Sequence, residues 1–321
     1  MLIAYIFPGQ GSQYEGMGRQ LAEQFASARE VFEEADTALG FSLSKLCFEG
    51  PMEKLQLTEN TQPAILATSI AALRVLISEG FPAPSFVAGH SLGEYSALVA
   101  SGALDFSTAL RLVRARGRYM QEAVPVGVGA MAAILGCDTE TVRATCEEVE
   151  GRKAHAVCSP ANINSPAQIV IAGDTESIDV ATELLKQRGA RKATRLKVSA
   201  PFHCAMMKPA EKQLAEDLGT VKFNDLQVPL VTNVDARLIT GGEDARESLI
   251  RQVSLPVRWS ESMSLLVTSG VRKFVEIGPG KVLCSLVKAN FKSAGQDIHE
   301  NDFTLCNVQD LDSLQNTLKS V

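Results

Sequence analysis

Short apolar segments alternate with amphipathic stretches through the first hundred residues. The segments Leu2–Phe7 and Ser85–His90 are brief, apolar and followed by turn residues, which predicts two strands. The amphipathic stretches have helical spacing, and helices are predicted over 18–40 (ended by Gly40 as a cap), 61–80 and 92–102. This alternation of strands and helices predicts a parallel sheet flanked by helices.

The middle of the chain follows a different order. Between Val126 and Val198 the pattern predicts strand, helix, strand, strand, helix and strand, at 129–136, 138–149, 154–165, 167–174, 175–189 and 191–199. Asp138 or Thr139 is the expected cap of the first of these helices. The order βαββαβ is typical of the ferredoxin-like fold.

After this segment the α/β pattern resumes. Helices are predicted at Lys208–Leu218, 245–253, 259–270 and 282–291, and strands at 229–234 and 273–278. The sequence therefore predicts an α/β protein with two domains. The large domain is α/β-hydrolase-like, contains a parallel sheet and is formed by residues 1–125 and 199–321. The small ferredoxin-like domain is inserted at 126–198.

Composition narrows the functional classes. The 321 residues are 45% apolar and 21% charged, as in ordinary globular proteins. The net charge of −6 argues against general binding to nucleic acids. Seven scattered cysteines without a CxxC pair argue against a disulfide framework or a structural zinc site, so we expect no metal.

Apolar runs and the N-terminal segment bear on location. The longest apolar stretches, such as Gly127–Gly136, are shorter than the roughly 20 residues of a membrane span. The N-terminal segment lacks the basic start of a signal peptide, and its apolar run fits a first strand. We therefore expect a cytoplasmic protein that does not bind membranes.

A serine stands where a predicted strand turns into a predicted helix. The segment from Gly89 to Gly93, GHSLG, has the GxSxG form of a nucleophile elbow, with Ser91 at its centre. The two glycines permit a sharp turn that exposes the serine hydroxyl. The helix directs backbone N–H groups at the same point, and the N–H of Leu92 is placed to donate to an oxyanion. The motif predicts a nucleophile, and a solvent-exposed serine in an ordinary turn is the alternative.

A serine nucleophile needs a base, and the chain contains four histidines. His90 adjoins the serine, where neighbouring side chains diverge. His155 lies in the inserted domain and His299 in the polar C-terminal tail. His203 lies where the chain leaves the small domain and re-enters the large one, a place where a cleft is expected. We therefore predict His203 as the base, with a packed or surface histidine as the alternative.

Seven segments, taken together and in this order, resemble the malonyl-CoA:acyl carrier protein transacylases of the acyltransferase family of fatty-acid and polyketide synthesis. The segments are FPGQGSQ, TQPA, GHSLGEYSALVASG, RARGRYMQEAVP, NINSPAQIVIAG, PFHCAMMKPA and VEIGPGKVL, and they extend from Phe7 to about Leu283. One such motif is a weak indication, whereas seven in register are a strong one.

The resemblance implies transfer of a malonyl group from malonyl-CoA to the phosphopantetheine thiol of an acyl carrier protein, through an acyl-serine and without a cofactor. It implies a Ser91–His203 dyad in which a backbone carbonyl near Gln252 accepts the other imidazole N–H. The many carboxylates of the chain leave a triad acid open. The resemblance also implies that the backbone N–H groups of Gln10 and Leu92 form the oxyanion hole.

The resemblance further implies that Arg116 binds the malonyl carboxylate, and helical spacing supports this role. On the predicted helix 107–123, Arg116 falls within an apolar stripe, whereas three other arginines share a polar face: Arg111, Arg114 and Arg118. A guanidinium on an apolar stripe is expected to point into a pocket, where its planar fork matches a carboxylate. The alternative is that the side chain extends along the surface to solvent.

Other residues match family positions that line the acyl pocket, namely Gln62, Met120 and Asn162, and each also fits a structural role. Leu92 and Phe202 indicate malonyl, because Gln and Ser at these family positions go with methylmalonyl. Phe202 would crowd an α-methyl group, although one methyl discriminates by only ~1–3 kcal/mol.

Partners and competing functions complete the expectations. Basic residues are concentrated in Arg188–Lys197 and recur at Lys208, Lys281 and Lys288, by default as a solvated face. As a hypothesis, part of this set receives the acidic carrier protein or the phosphates of CoA. A serine esterase or thioesterase and a non-catalytic carrier-binding module are the competing functions. We expect a monomer.

Overall fold

The computed structural model describes residues 1–196, 198, 200–292 and 302–320, which form two sheets covered by helices. The strands are β1 (Leu2–Phe7), β2 (Phe86–Gly89), β3 (Gly129–Leu135), β4 (Cys158–Ser165), β5 (Gln168–Asp174), β6 (Lys192–Arg195), β7 (Leu230–Val231), β8 (Leu238–Ile239), β9 (Val271–Ile277) and β10 (Thr304–Val308).

The helices contribute most of the described residues. They are α1 (Arg19–Gln24), α2 (Ala26–Leu39), α3 (Leu43–Glu49), α4 (Met52–Leu55), α5 (Thr58–Ser78), α6 (Gly93–Ala100), α7 (Phe106–Glu122), α8 (Thr139–Glu150), α9 (Thr175–Gln187), α10 (Lys208–Gly219), α11 (Gly242–Gln252), α12 (Trp259–Thr268), α13 (Val282–Lys292) and α14 (Leu311–Leu318), with a 3₁₀ turn at Ala205–Met207.

The larger sheet has the strand order β10-β9-β1-β2-β7-β8. All its neighbours pair in parallel except β7 and β8, which are antiparallel. Central strand β1 is buried on both faces: Tyr5 and Phe7 pack into one core cluster, and Ala4 and Ile6 into another. The carboxyl ends of β1 and β2 therefore lie side by side, where ligands bind in open parallel sheets.

The smaller sheet has the order β4-β5-β3-β6 and is antiparallel throughout. With α8 and α9, its elements follow the βαββαβ order that the sequence predicts, and they enclose a separate core cluster. Edge strand β4 meets the larger unit at Val257, whose N–H donates to Ala161 O and whose carbonyl accepts from Ile163 N, both at 2.9 Å. The domain boundaries at 126 and 198 stay a prediction.

Several elements differ from the sequence expectations. The helix predicted over 18–40 is interrupted at Phe25, whose extended backbone (φ −119°, ψ 126°) separates α1 from α2. The strand predicted over 229–234 keeps only two ladder residues. The C-terminal region, taken as a polar tail, adds β10 and α14, and helices α3 and α4 were not predicted. The predicted caps at Gly40 (φ 70°) and Asp138 are confirmed.

Helix α5 corrects the expectation about apolar stretches. Its 21 residues are long and apolar enough to cross a membrane by length and composition. Of its most apolar window, however, 83% is buried inside the fold, as in the core helix of a globular domain.

Candidate active site

Ser91 lies at the tip of a tight turn between β2 and α6. Its φ of 51° is in the left-handed region, which is strained for a residue other than glycine. The turn is closed by two glycines. A Cβ on Gly89 would lie 1.9 Å from the backbone of Gly93, and one on Gly93 would lie 2.0 Å from Phe7 O. The local sequence therefore forms the predicted elbow because no side chain fits at either flank.

His203 is hydrogen-bonded to the serine. Its Nε2 lies 2.7 Å from Ser91 Oγ, and its Nδ1 lies 2.8 Å from the backbone oxygen of Gln252. Because a carbonyl only accepts, Nδ1 carries the proton and Nε2 is left to accept from the hydroxyl. Burial, reinforced by the positive charge of Arg116, lowers the pKa of His203 to about 3. The imidazole is therefore neutral at physiological pH, as a general base must be.

Arg116 is buried, with 1% of its surface exposed, and reaches the same hydroxyl. Its Nη2 donates to Ser91 Oγ at 3.1 Å and to Gln252 Oε1 at 2.9 Å, and its Nη1 donates to Gln62 Oε1 at 2.8 Å. Its Nε has no hydrogen-bond partner among the described residues. Of the arginines on the opposite face of α7, Arg111 and Arg118 are exposed.

Close packing of α7 on α5 brings Gln62 to the arginine. A Cβ on Gly117 would lie 2.6 Å from the carbonyl oxygen of Thr58, so glycine at 117 lets the two helix backbones touch. Gln62 Nε2 also lies 3.8 Å from the sulfur of Met120, one turn further along α7. The structure thus groups Gln62 and Met120 with Arg116, as expected for one wall of a pocket.

The turn after β1 packs against the elbow. His90 N donates to Phe7 O at 3.0 Å, and a Cβ on Gly9 would lie 2.4 Å from His90 O. Gln10, next in this turn, is exposed, and its side chain donates to Thr58 Oγ1 at 3.3 Å. Across the described part of the chain, the N–H groups of Gln10 and Leu92 have no acceptor. Both are thus available to an oxyanion, although that role stays a prediction.

Three residues that support the elbow were missed in the sequence. Asn233 Oδ1 accepts from Ser91 N at 2.7 Å, and its Nδ2 donates to Gly89 O at 2.6 Å. The side chain of Gln252, of which only the backbone was expected to act, donates from Nε2 to Ser91 O at 3.0 Å. The same Nε2 donates to Glu94 Oε2 at 2.8 Å. Glu94 is an acidic residue in an otherwise apolar helix, and that is the signal that could have identified it.

The remaining predicted residues lie around this centre. His90 does not bond to Ser91: its Nε2 lies 2.8 Å from Asn164 Oδ1, and its ring packs on Trp259. Phe202 is buried beside His203. Asn162 is buried on β4 at the bridge to Val257, and no hydrogen bond between described residues links its side chain to the serine, histidine or arginine.

The other histidines and the basic residues are peripheral. His155 is exposed, and His299 lies outside the described residues. Three of the basic residues pair with carboxylates: Arg188 with Glu148, Arg195 with Asp179, and Lys208 with Glu211. Arg191, Lys192 and Lys281 are exposed, and form no ion pair with another described residue.

A parallel α/β sheet that carries a strained serine, a neutral histidine and a buried arginine is typical of enzymes that pass an acyl group through a serine. Residues 4–310 match the family described as the acyl transferase domain, and the chain belongs to this family. This finding confirms the resemblance that the seven sequence motifs indicate.

Relatives and solved structures agree over nearly the whole chain. The chain is 51% identical over 288 residues to a malonyl CoA-acyl carrier protein transacylase of Bacillus subtilis (strain 168), covering 89% of each. It is 49% identical over 286 residues to that of Escherichia coli (strain K12), covering 89% of this chain and 91% of the relative.

Among solved structures, a malonyl-transacylase in complex with its type II PKS acyl-carrier protein superposes with a TM-score of 0.93, at 44% identity and 100% coverage of both chains. An acyl carrier protein S-malonyltransferase from Vibrio cholerae superposes with a TM-score of 0.92, at 44% identity, covering 98% of this chain and 99% of that one.

Proposed function

We propose that the protein transfers a malonyl group from malonyl-CoA to the phosphopantetheine thiol of an acyl carrier protein, in fatty-acid or polyketide synthesis. The relatives with about half of their residues in common are named for this transfer. One similar structure was solved as a complex of such an enzyme with its carrier protein. The donor, the acceptor and the covalent serine intermediate are therefore assigned together.

The observation that carries the proposal is that two groups converge on Ser91 Oγ. His203 Nε2 lies at 2.7 Å and Arg116 Nη2 at 3.1 Å from the same oxygen. The first is placed to take the hydroxyl proton. The second places a buried cation beside the acyl group that the oxygen will carry, which suits an acyl chain ending in a carboxylate.

Acylation proceeds through one proton cycle of His203. The imidazole takes the proton of Ser91 Oγ as the oxygen bonds to the thioester carbonyl carbon of malonyl-CoA. The tetrahedral oxyanion accepts from the N–H groups of Gln10 and Leu92, each donor being worth roughly 3–4 kcal/mol in the transition state. The carbon–sulfur bond then breaks, the CoA sulfur takes the proton from His203, and malonyl-Ser91 remains.

Deacylation is the same cycle in reverse with a new thiol. His203 takes the proton of the pantetheine thiol, whose sulfur bonds to the malonyl carbonyl carbon of the acyl-serine. The bond between carbon and Ser91 Oγ breaks, and the serine oxygen recovers its proton from the imidazole. Protons and electrons balance with the two thiols alone, so we expect neither a metal nor a redox cofactor in the reaction.

The malonyl carboxylate is assigned to Arg116. The Nε of this guanidinium is buried and lacks a partner among the described residues, so a bound carboxylate would satisfy it. Gln62 and Met120 lie against the same side chain and extend the pocket wall. We assign Phe202, buried next to the base, to limiting the size of the α-substituent.

The carrier protein is assigned to the exposed basic residues Lys281 and Arg191. Lys281 follows the turn after β9, where a Cβ on Gly278 would lie 3.0 Å from Pro8 and one on Gly280 would lie 3.5 Å from Ser12. The turn of Lys281 therefore lies beside the turn of Gln10, at the carboxyl ends of the strands. An acidic partner at this edge would bring its thiol towards Ser91.

The fate of labelled malonyl-CoA tests the proposal. The enzyme is mixed with the donor alone, and bound label and free malonate are followed before and after addition of phosphopantetheinylated carrier protein. We expect label on the protein that persists until the carrier is added and then moves to it, and no label on Ser91→Ala. Steady release of free malonate without carrier would instead indicate a thioesterase.

A further inference from the structure

A buried carboxylate lies one helical turn beyond Ser91 and takes no part in the proton cycle. Glu94 on α6 is fully buried, with 0% of its surface exposed. Its Oε2 accepts from Gln252 Nε2 at 2.8 Å and from Asn233 N at 3.2 Å, and its Oε1 accepts from Ser248 Oγ at 3.2 Å. Burial raises the pKa of Glu94 to about 7, and these hydrogen bonds oppose the rise. Burying such a group is costly, so its bonds are expected to serve a purpose.

The Gln252 carboxamide has one orientation that satisfies its neighbours. A carboxylate only accepts and a guanidinium only donates, so Nε2 faces Glu94 and Oε1 faces Arg116 Nη2 at 2.9 Å. The same Nε2 donates to Ser91 O at 3.0 Å. Turning the amide over would place NH₂ against the guanidinium and oxygen against the carboxylate. The carboxylate of Glu94 therefore determines which way the amide points.

The amide in turn fixes one side of the Arg116 guanidinium. Nη2 is held by Gln252 and Ser91, and Nη1 is held by Gln62 at 2.8 Å. These partners are neutral amide and hydroxyl oxygens, which orient the cation without neutralising it. The guanidinium thus keeps its charge for a carboxylate that arrives with the substrate.

We propose that Glu94 is a positioning residue that orients the Gln252 carboxamide, and through it the Arg116 guanidinium, so that the enzyme prefers acyl donors that carry a carboxylate. This inference rests on the proposed function, in which Arg116 binds the malonyl carboxylate. A bidentate ion pair depends on the angle and place of the guanidinium, so a loss of orientation weakens malonyl loading. An acetyl group makes no such pair, and its loading depends much less on the orientation.

The ratio of kcat/KM for acylation by malonyl-CoA to that by acetyl-CoA measures the effect. Glu94→Met keeps the length of the side chain but removes the strong acceptor, and we expect the ratio to fall about tenfold. Glu94→Gln keeps one oxygen, which can take the place of Oε2 while its NH₂ faces Ser248. We expect this variant to remain within about threefold of the wild-type ratio.

Two further variants separate orientation from general damage. Gln252→Met removes the amide but keeps the backbone carbonyl that accepts from His203, and it should lower the ratio as Glu94→Met does. The double variant should lose no more than either single one, because both act through one contact. Ser248→Ala removes a different hydrogen bond to Glu94 and should leave the ratio unchanged.

Each outcome decides the inference. Equal losses for both donors in Glu94→Met and Gln252→Met, or additive losses in the double variant, would show a purely structural role and overturn it. If Glu94→Met does not fold, an unchanged ratio in Gln252→Met overturns the inference by itself. A wild-type enzyme that malonyl-CoA does not acylate would instead overturn the proposed function, which keeps the two failures distinct.

Discussion

Ser91 and His90 are adjacent in the chain, yet two different regions of the molecule hold them. The hydroxyl, N–H and carbonyl of Ser91 all bond within the large domain. Their partners are Arg116, His203, Asn233 and Gln252. The reactive oxygen, its base and its buried cation therefore share one rigid support built on the parallel sheet.

His90 faces the small domain instead. Its Nε2 lies 2.8 Å from Oδ1 of Asn164, on β4, and Asn290 Nδ2 holds the backbone oxygen of Asn164 at 2.8 Å. The difference indicates a division of labour at the elbow. We expect changes on the large-domain side to abolish acyl transfer, and changes on the small-domain side or at the domain crossover to alter how donors and carriers fit.

Loss of the base should break the large-domain side most completely. His203→Ala removes the acceptor of the Ser91 proton, and we expect the rate of acyl-enzyme formation to fall by about 10²–10⁴-fold. Rapid-quench measurement with malonyl-CoA gives this rate directly. His90→Ala is the matched control, because its ring bonds to Asn164, and its loss should be much smaller. Equal losses in the two variants would contradict the comparison.

The pH dependence of acylation should shift when the buried cation is removed. Burial and the charge of Arg116 lower the pKa of His203, so the wild-type imidazole stays neutral well below pH 6.5. In Arg116→Ala the repulsion disappears and the pKa rises, so the base becomes protonated at a higher pH. The acid limb of kcat/KM should therefore move to higher pH, measured with acetyl-CoA to avoid the lost carboxylate contact.

Two features sharpen this pH experiment. The pKa of Glu94, about 7, is expected to add a titration in both enzymes, so the difference between the two profiles is the quantity of interest. Arg111→Ala, on the exposed face of the same helix, serves as the control and should reproduce the wild-type profile. An acid limb that stays in place or moves to lower pH in Arg116→Ala would show that the arginine does not act on the base.

Donor size tests the crossover between the domains. Phe202→Ser opens space beside His203, and we expect methylmalonyl-CoA to gain about tenfold in kcat/KM relative to malonyl-CoA. Competition between the two donors for one enzyme sample gives the ratio. An unchanged ratio would remove Phe202 from the account of specificity.

Charge reversal at the exposed basic residues should have the smallest effect. Lys281→Glu and Arg191→Glu each repel an acidic carrier, and the KM for the carrier should rise by a few-fold, roughly as exposed charge pairs allow. The acylation half-reaction should not change, because it does not involve the carrier. Lys45→Glu, on exposed α3, carries the same charge change as a control. Unchanged carrier kinetics in both test variants would exclude this docking surface.

The residues that react could be predicted from the sequence because their signals are local. Ser91 stands in a five-residue motif between a strand and a helix. His203 could be chosen among four histidines, and Arg116 stands out by its place on one helix. The βαββαβ order of the small domain was also legible, since each element is short and strongly patterned.

The supporting residues could not be predicted in the same way. Asn233 and Gln252 reach Ser91 across 142 and 161 residues of chain, and nothing near them in sequence marks the contact. Tertiary packing alone brings them together. Glu94 is the exception, because a carboxylate on apolar α6 breaks the local pattern just as Arg116 does on α7. Strand β10 and helix α14 escaped because the C-terminal region lacks a long apolar run.

Intact-mass measurement of the acyl-enzyme tests the central claim most directly. Wild-type enzyme, Ser91→Ala and Arg116→Ala are each mixed with equal amounts of malonyl-CoA and acetyl-CoA, without carrier protein. The account predicts a malonyl adduct on the wild type, no adduct on Ser91→Ala, and a shift from malonyl to acetyl on Arg116→Ala. A malonyl adduct on Ser91→Ala, or unchanged malonyl preference in Arg116→Ala, would contradict it.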